Sequence, residues 1–309
     1  MLYTPAAAAA AFLLSRLVLL SPDFAAQFAR SQGPQTLVSC SALDPGLIPA
    51  PVLSACLAAI GQLARGGGGD AERSLREARL GGALGELLVH QEAAVRARAC
   101  NLLGNLCRHS DWFYEELGAS AASPTRSSAL LPRLVRACSD ADPATQKFAC
   151  FAVGNAAFHS RALYPLLAPA APPLVAALST TDPKTRANAA GALGNLVRNG
   201  GALCGALSRA DAPLQLLLLA TRPVGGSAQQ AGGSSAAPQG GSTPQQIALF
   251  SLGTCCAYAA CREALMGGVE GGREGLEAML LKLEGGTRDG VVIKYAARLR
   301  GKLAAPALV

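Results

Sequence analysis

The stretch from Thr145 to Ser160, TQKFACFAVGNAAFHS, is the middle one of three closely similar phrases. VRARACNLLGNLCRHS runs from Val95 to Ser110, and TRANAAGALGNLVRNG from Thr185 to Gly200. With each phrase numbered 1 to 16, position 10 is glycine and position 11 asparagine every time: Gly104-Asn105, Gly154-Asn155 and Gly194-Asn195. Weaker copies keep the frame. VLSACLAAIGQLARGG places Gly61 at position 10, PQQIALFSLGTCCAYA places Gly253 there, and VIKYAARLRGKLAAPA places Gly301 there. A truncated copy, AAFLLSRLVLLSPDF, aligns Ser15 with Gly104 and Phe24 with Phe113. Successive anchors lie 46, 43, 50, 40, 59 and 48 residues apart. A helical unit repeating every ~40–47 residues cannot bury its apolar face alone, so the copies must stack.

Between Ser110 and Asn199 the unit is best formed. SDWFYEELGAS predicts a first helix, with Ser110 as N-cap and Glu115 and Glu116 in its early turns, where the helix dipole favours anions. LLPRLVRACS, Leu130 to Ser139, predicts a short second helix with Pro132 in its first turn. SDADP then makes a turn, and Pro143 opens the third and longest helix. Ala149, Ala152, Val153 and Ala156 recur at three- and four-residue spacing and supply its buried stripe. The next copy repeats the order: SRALYPLLAPA, PPLVAALS, the turn TTDP, and a third helix from Lys184 to Asn199. Three helices per unit favour armadillo over two-helix HEAT repeats. Gly104, Gly154 and Gly194 sit inside helices, at a cost of ~1 kcal/mol each against alanine. Close approach of neighbouring helices, where a Cβ would clash, accounts for a cost that recurs.

Half of the 309 residues are apolar and 15% are charged, which supports a continuous core and excludes general disorder. The net charge of +7 reads first as a generic basic surface and second as an attraction for acidic ligands. No Lys/Arg cluster is dense enough to predict nucleic-acid binding. None of the ten cysteines forms a CxxC pair, and Cys100 and Cys150 share one apolar repeat position, so buried, reduced thiols are expected. His109 and His159 share one position in different copies, which argues against a zinc site. PAAAAAAFLLSRLVLL, Pro5 to Leu20, has the look of a signal peptide or span. Arg16 interrupts it, it holds the repeat frame, and it reads as a core helix. Ala119 to Ser128 reads as a polar insert, and 223–244, PVGGSAQQAGGSSAAPQGGSTP, as a disordered surface insertion between repeats.

The copies resemble armadillo repeats, whose third helix commonly ends in AL-x-N-(L/I)-A, as ALGNLV does at Ala192–Val197. Read together, DADPATQKFACFAVGNAAFHSRALY, DPKTRANAAGALGNLVRNGGALC and PQQIALFSLGTCCAYAACREAL resemble the C-terminal region of the Fused-family serine/threonine kinases, the plant and algal TWO-IN-ONE type above all. VHQEAAVRARACNLLGNLCRHSDWFY is similar to the same region of the animal kinases. The likeness runs from about Leu80 onward and includes His109, Lys147-Phe148 and Arg198-Asn199. No kinase motif is found: there is no GxGxxG strand-loop, no VAIK-type lysine, no HRD loop and no DFG, and Asp23-Phe24-Ala25 is a chance fragment. Gly66–Gly69 lacks the Lys-Ser/Thr of a phosphate loop. The chain begins partway through a repeat, and is expected to be a C-terminal piece of a longer protein or an incomplete gene model.

The fold expected is an all-α armadillo-like α-solenoid, a right-handed superhelix of three-helix repeats in a single array over 1–309. The repeats are a partial one at 1–40, then about 41–70, 71–110, 111–160, 161–200, 201–260 and 261–309. Candidate partner-binding residues are Asn105, Asn155, Asn195, Arg108, Arg198, Lys147 and Phe151. In armadillo proteins of the importin and catenin type the corresponding asparagine bonds the main chain of an extended peptide. Equally, each asparagine could lock a neighbouring loop and stabilise stacking. Those families often carry a tryptophan four residues earlier; here Asn101, Phe151 and Gly191 stand there. Phe151 is open to either a ligand contact or core packing. Arg96, Arg98, Lys147, Lys184, Arg186, Arg108 and Arg198 flank the third helices and read either as a basic stripe for acidic partners, microtubule tails included, or as solvated helix ends. Trp112-Phe113-Tyr114 reads first as core and second as a partner hot spot. No catalytic constellation, cofactor or metal site is expected. Resemblance to Fused kinases implies a non-catalytic scaffold in cis to a kinase, cytoplasmic and cytoskeleton-associated. It also implies kinesin or microtubule-associated partners, in cytokinesis or cilia, and no nucleic acid, membrane or small-molecule substrate. The alternatives are an importin-like adaptor and a fragment catalogued as a kinase through its full-length parent.

Overall fold

The computed structural model describes residues 4–119, 130–222 and 243–308. The chain divides into two compact units, Met1–Pro173 and Leu174–Val309. In the first unit the helices are α1 (Pro5–Leu20), α2 (Pro22–Arg30), α3 (Gly33–Ser39), α4 (Ala50–Gly66), α5 (Gly69–Glu77), α6 (Gly81–Leu87), α7 (Ala93–Leu106), α8 (Tyr114–Gly118), α9 (Leu130–Ala137), α10 (Pro143–Ala156) and α11 (Tyr164–Leu167). The division falls within α12 (Ala171–Ala177). The second unit holds α13 (Pro183–Asn195), α14 (Cys204–Arg209), α15 (Ala212–Thr221), α16 (Pro244–Cys255), α17 (Ala259–Gly268), α18 (Gly272–Gly286) and α19 (Gly290–Ala304). Among the described residues the only extended pairing is an isolated bridge between Tyr258 and Leu308. The fold is the expected all-α, armadillo-like repeat solenoid.

The helices fall in triplets, and the recurring phrase is the third helix of each: α4, α7, α10, α13, α16 and α19, with α1 standing at the same position. Third helices pack on one another, α1 on α4, α4 on α7 and α7 on α10 in the first unit, α13 on α16 and α16 on α19 in the second. Helices α2 and α3, within the stretch read as a partial repeat, are the first and second helices that lead into α4. Ala149, Ala152, Val153 and Ala156 are buried as predicted. In α1 only Ala11 and Val18 are buried, while Phe12, Leu13, Leu19 and Leu20 are exposed. No single helix among the described residues is long and apolar enough to cross a membrane.

Entry to the third helix is set by a short code. Asp142 caps α10: its carboxylate accepts the Thr145 N–H and the Thr145 hydroxyl, each at 2.7 Å. Asp182 caps α13 in the same way, at 2.9 and 2.7 Å. Proline follows each aspartate, where its missing N–H costs nothing. Thr243 and Gln246 form a reciprocal capping box on α16. The insertion read at 223–244 lies outside the described residues as far as 242. Its last two residues, Thr243 and Pro244, belong to α16 as cap and first turn. The polar insert, apart from Ala119, is also outside the described residues.

Two local expectations are corrected. Ser110 does not cap a helix; α8 begins at Tyr114 because Asp111–Phe113 turn first, burying Phe113, and the Ser110 hydroxyl is buried without a partner. Glu115 and Glu116 do stand in the first turn of α8 as expected, and Glu116 in addition serves a neighbouring helix, accepting the Gly81 N–H at the start of α6 at 3.0 Å. Most third helices also stop before the phrase does: α7, α10, α13 and α16 end at position 11 or 12 and α19 at position 13, whereas α4 runs on to position 15.

The clash expected at position 10 is real at two of the glycines. A Cβ on Gly104 would overlap the Phe151 ring and lie 3.3 Å from the Ala152 Cα; one on Gly194 would lie 2.6 Å from Ser251 Oγ and 2.9 Å from its Cα. At Gly61 the nearest atom is at 3.9 Å, and at Gly253 and Gly301 nothing lies within 4 Å. The same repeat position therefore carries opposite predictions. Gly194→Ala lowers stability by about 1–3 kcal/mol through overpacking against backbone. Gly253→Ala raises it by about 0.5–1 kcal/mol through helix propensity. Denaturant unfolding of the two single variants checks both signs.

Candidate protein-interaction face

On a third helix, positions 4, 7 and 11 lie on one stripe, and residue 11 follows the glycine that permits close packing. In the first unit that stripe reads Ala55, Ala58, Gln62 on α4, then Arg98, Asn101, Asn105 on α7, then Phe148, Phe151, Asn155 on α10. The position-11 amides reach back to the preceding glycine. Asn105 Nδ2 donates to the Gly61 carbonyl at 3.4 Å and to Asn101 Oδ1 at 3.1 Å; Asn155 Nδ2 donates to the Gly104 carbonyl at 2.8 Å. In the second unit Lys302, at position 11 of α19, donates to the Gly253 carbonyl at 2.7 Å. Both hydrogens of the Asn105 amide are used, and the residue is buried. Asn155 and Asn195 are half-buried; Asn195 also engages a neighbouring group.

A second ladder runs below the first. His109 Nε2 lies 3.1 Å from the Arg65 carbonyl and His159 Nε2 3.0 Å from the Arg108 carbonyl. A carbonyl only accepts, so Nε2 carries the hydrogen in both. Position 15 thus bonds position 14 of the preceding copy. At Ala257, also position 14, the acceptor is met by the Leu308 N–H at 2.8 Å, and Arg262 fastens that tail by donating to the Ala305 carbonyl at 2.6 Å. The shared histidine position is therefore a stacking position.

The remaining candidates divide. Phe151 is half-buried over Gly104, so its ring is first a packing element. The Lys147 ammonium stands 4.9 Å from the Phe148 ring centroid. Arg108 and Arg198 are exposed, and Arg198 also engages a neighbouring group. Arg96 and Arg186, at position 2, point back into their own turns. Arg96 Nη1 donates to the carbonyls of His90 and Gln91 at 2.8 and 2.9 Å, and Arg186 Nη1 to those of Thr180 and Thr181 at 2.7 and 2.8 Å. Phe113 and Tyr114 are core; the Tyr114 hydroxyl donates to the Asn155 carbonyl, and burial pushes the phenol well above its ordinary value. Trp112 is half-buried, edge-on to Phe113 at 5.3 Å, with the Arg76 guanidinium 5.0 Å from its ring.

Charge is segregated by helix. None of the chain's 20 carboxylates lies on a third helix. Those helices carry Arg16, Arg65, Arg96, Arg98 and Lys147 in one unit and Lys184, Arg186, Lys294, Arg298, Arg300 and Lys302 in the other. Burial pushes Cys56 up to about 11 and Cys100 up to about 12, so these thiols stay protonated and are poor nucleophiles. No group of three or more His, Cys, Asp or Glu among the described residues is placed to hold a metal.

Sequence reading missed Phe250 and Tyr295, which hold positions 7 and 4 in the weaker copies. Extending the alignment to those copies finds both residues, though not that they touch.

Two outcomes follow from this geometry. Asn155→Ala leaves the Gly104 carbonyl without its donor and lowers stability by about 1–2 kcal/mol, read from denaturant unfolding. Arg96 grips Asp140 with two bonds of 2.8 Å. Burial alone would raise the Asp140 carboxyl, but the Arg96 hydrogen bonds, the Asp142 N–H and the Arg96 charge outweigh it and hold it below its usual value. A depressed carboxyl contributes stability above its unfolded pKa of about 3.9 and loses it as pH falls through the lower folded value. Asp140→Asn should therefore be about 1–3 kcal/mol less stable than the parent at pH 7. The gap narrows below about pH 4, as unfolding measured across pH will show.

The family model for a HEAT-like repeat matches residues 143–196, the stretch from α10 through α13. Serine/threonine-protein kinase 36 of Mus musculus is 43% identical over 89 residues, covering 29% of this chain and 6% of the kinase. The same-named kinase of Pongo abelii is 33% identical over 177 residues, 52% of this chain and 12% of the kinase. The chain thus spans a small part of the curated relatives it matches, and over that part it is homologous to them at modest identity. Among solved structures, an engineered protein superposes with a TM-score of 0.76 at 20% identity, covering 96% of this chain and 64% of that one. A designed armadillo repeat protein in complex with the peptide (KR)4 gives 0.67 at 19% identity, covering 87% and 98%. At such identity these neighbours speak for the fold, which is that of armadillo repeats.

Proposed function

We propose that this chain is a non-catalytic protein-interaction and scaffold module of a Fused-type serine/threonine kinase. It serves microtubule-linked processes, cytokinesis or the cilium, from the cytoplasm and the cytoskeleton. The observation that carries the reading is the third-helix stripe, a repeating row of amide, aromatic and cationic side chains unaccompanied by any carboxylate. Partial similarity to serine/threonine-protein kinase 36 supports the link to a kinase parent. The parent's phosphoryl transfer belongs to another part of that parent, and this chain's role is rigid presentation of surface. The buried Asn105 serves stacking, while Arg98, Arg108, Arg198, Lys147 and the open edges of Phe151, Asn155 and Asn195 offer the contacts.

An importin-like adaptor is the rival reading, and charge argues against it. A peptide of lysine and arginine, like that held by the designed neighbour, needs a host of opposite sign. Here the third helices carry cations alone.

The test is affinity capture from cell lysate with the purified chain, against a folded variant carrying Arg98→Glu, Arg108→Glu and Arg198→Glu. Recovery of a kinesin or microtubule-associated protein by the parent alone is expected. Equal recovery by both moves binding off these helices, recovery of basic cargo favours the adaptor, and phosphate transfer from ATP by the purified chain overturns the non-catalytic reading.

A further inference from the structure

Within the second unit the stripe changes character. Across α13, α16 and α19, position 4 is Asn188, Ile247 and Tyr295, and position 7 is Gly191, Phe250 and Arg298. Phe250 is 48% exposed although it belongs to a helix whose opposite side is core. Its ring meets that of the half-buried Tyr295 at a centroid distance of 5.6 Å and a tilt of 58°, so two aromatic rings from neighbouring repeats stand side by side at the surface. Ile247 borders them, and the missing side chain of Gly191 leaves the approach from α13 low.

The charges carried by α19 itself are all cations. Lys294 and Arg298 are exposed, and neither is paired with a carboxylate among the described residues. Lys302 is exposed too, although its ammonium is anchored on the Gly253 carbonyl. Of the nearby acids, Glu284 is neutralised by Arg300 at 2.8 Å, whereas Asp289, the cap of α19, keeps its charge, since it accepts only from neutral donors, the Val291 and Val292 N–H groups and the Gln246 amide. An apolar patch whose own helix α19 carries the exposed cations Lys294 and Arg298, unpaired among the described residues, fits a ligand with an apolar side chain flanked by carboxylates. Successive helices are set ~8–10 Å apart, which is about three residues of extended chain.

We propose that the α16–α19 stripe binds an extended acidic segment of a partner protein. One aliphatic or aromatic side chain of that segment lies on Phe250 and Tyr295, and its carboxylates meet Lys294 and Arg298. The inference rests on the reading of the chain as a protein-interaction module and gives that module a ligand class.

Fluorescence anisotropy on the full chain tests it with three labelled probes: alternating Glu–Leu, alternating Glu–Ser and alternating Lys–Leu peptides. The Glu–Leu probe is expected to bind, and to weaken at least about fivefold as salt rises from roughly 50 to 300 mM. Glu–Ser should bind about tenfold more weakly, and Lys–Leu not at all. Phe250→Ala should cost Glu–Leu affinity about fivefold and leave Glu–Ser unchanged, whereas Arg298→Glu should weaken both. Because both side chains are exposed, each variant should melt with the parent; if Phe250→Ala does not, Lys294→Glu replaces it and must weaken both acidic probes. Equal binding of Glu–Leu and Lys–Leu, no binding of Glu–Leu, or indifference to Arg298→Glu overturns the proposal. Partner capture retained by an Arg298→Glu chain sinks this site alone, whereas Glu–Leu binding without partner capture sinks the wider reading alone.

Discussion

The approach of one third helix to the next at position 10 is the contact on which the rest depends. Where the helices come closest, as at Gly104 and Gly194, a neighbouring side chain or backbone occupies the space a Cβ would need. Removing that Cβ costs helix propensity, about 1 kcal/mol per site, and returns a packed interface together with an accessible carbonyl. Residue 11 of the following helix uses that carbonyl, as Asn105, Asn155 and Lys302 show. Steric absence and polar satisfaction meet in one joint at Gly104, whereas Gly61 and Gly253 offer the carbonyl without the tight approach. The short first and second helices then fill the flank that the third helices leave open.

Much of this was legible in the residues. The phrase frame marks the third helices, Asp-Pro marks the starts of α10 and α13, and the alanine stripe marks the buried side of α10. What could not be read are bonds whose partners lie a repeat away. Glu116 looks like a dipole partner for its own helix, yet its carboxylate reaches Gly81, and nothing within its own segment says so. Ser110 has the identity of a cap, but the aromatic residues after it turn the chain inward before a helix can begin. The asparagines were ambiguous for a related reason. An amide that reads a ligand main chain and one that reads a neighbouring repeat are the same group at the same position, and distance alone separates them.

The charge pattern has its own logic. Carboxylates here sit in turns and at helix starts, where Asp142, Asp182 and Asp289 cap backbone amides, or on first and second helices. The third helices α4 and α7, packed on a third helix at either side, leave only a narrow stripe open. A charge on that stripe is seen by whatever lies along it, and every charge placed there is positive. The basic balance of the chain is therefore a property of one set of helices more than of the whole surface.

The step from α13 to α16 differs from the step from α16 to α19 in its unit. Gly194 and Ser251 bring the helices into backbone contact, but position 11 is Thr254, whose hydroxyl donates to Phe250 in its own helix and not to its neighbour. Thr254 therefore adds no bond to the preceding glycine of the kind that Lys302 adds one step later. Packing yields gradually as surfaces slide, whereas a hydrogen bond resists until it breaks. Under tension along the stack, the α16–α19 step would hold until the Lys302 bond parts, which makes that step a catch and not a spring.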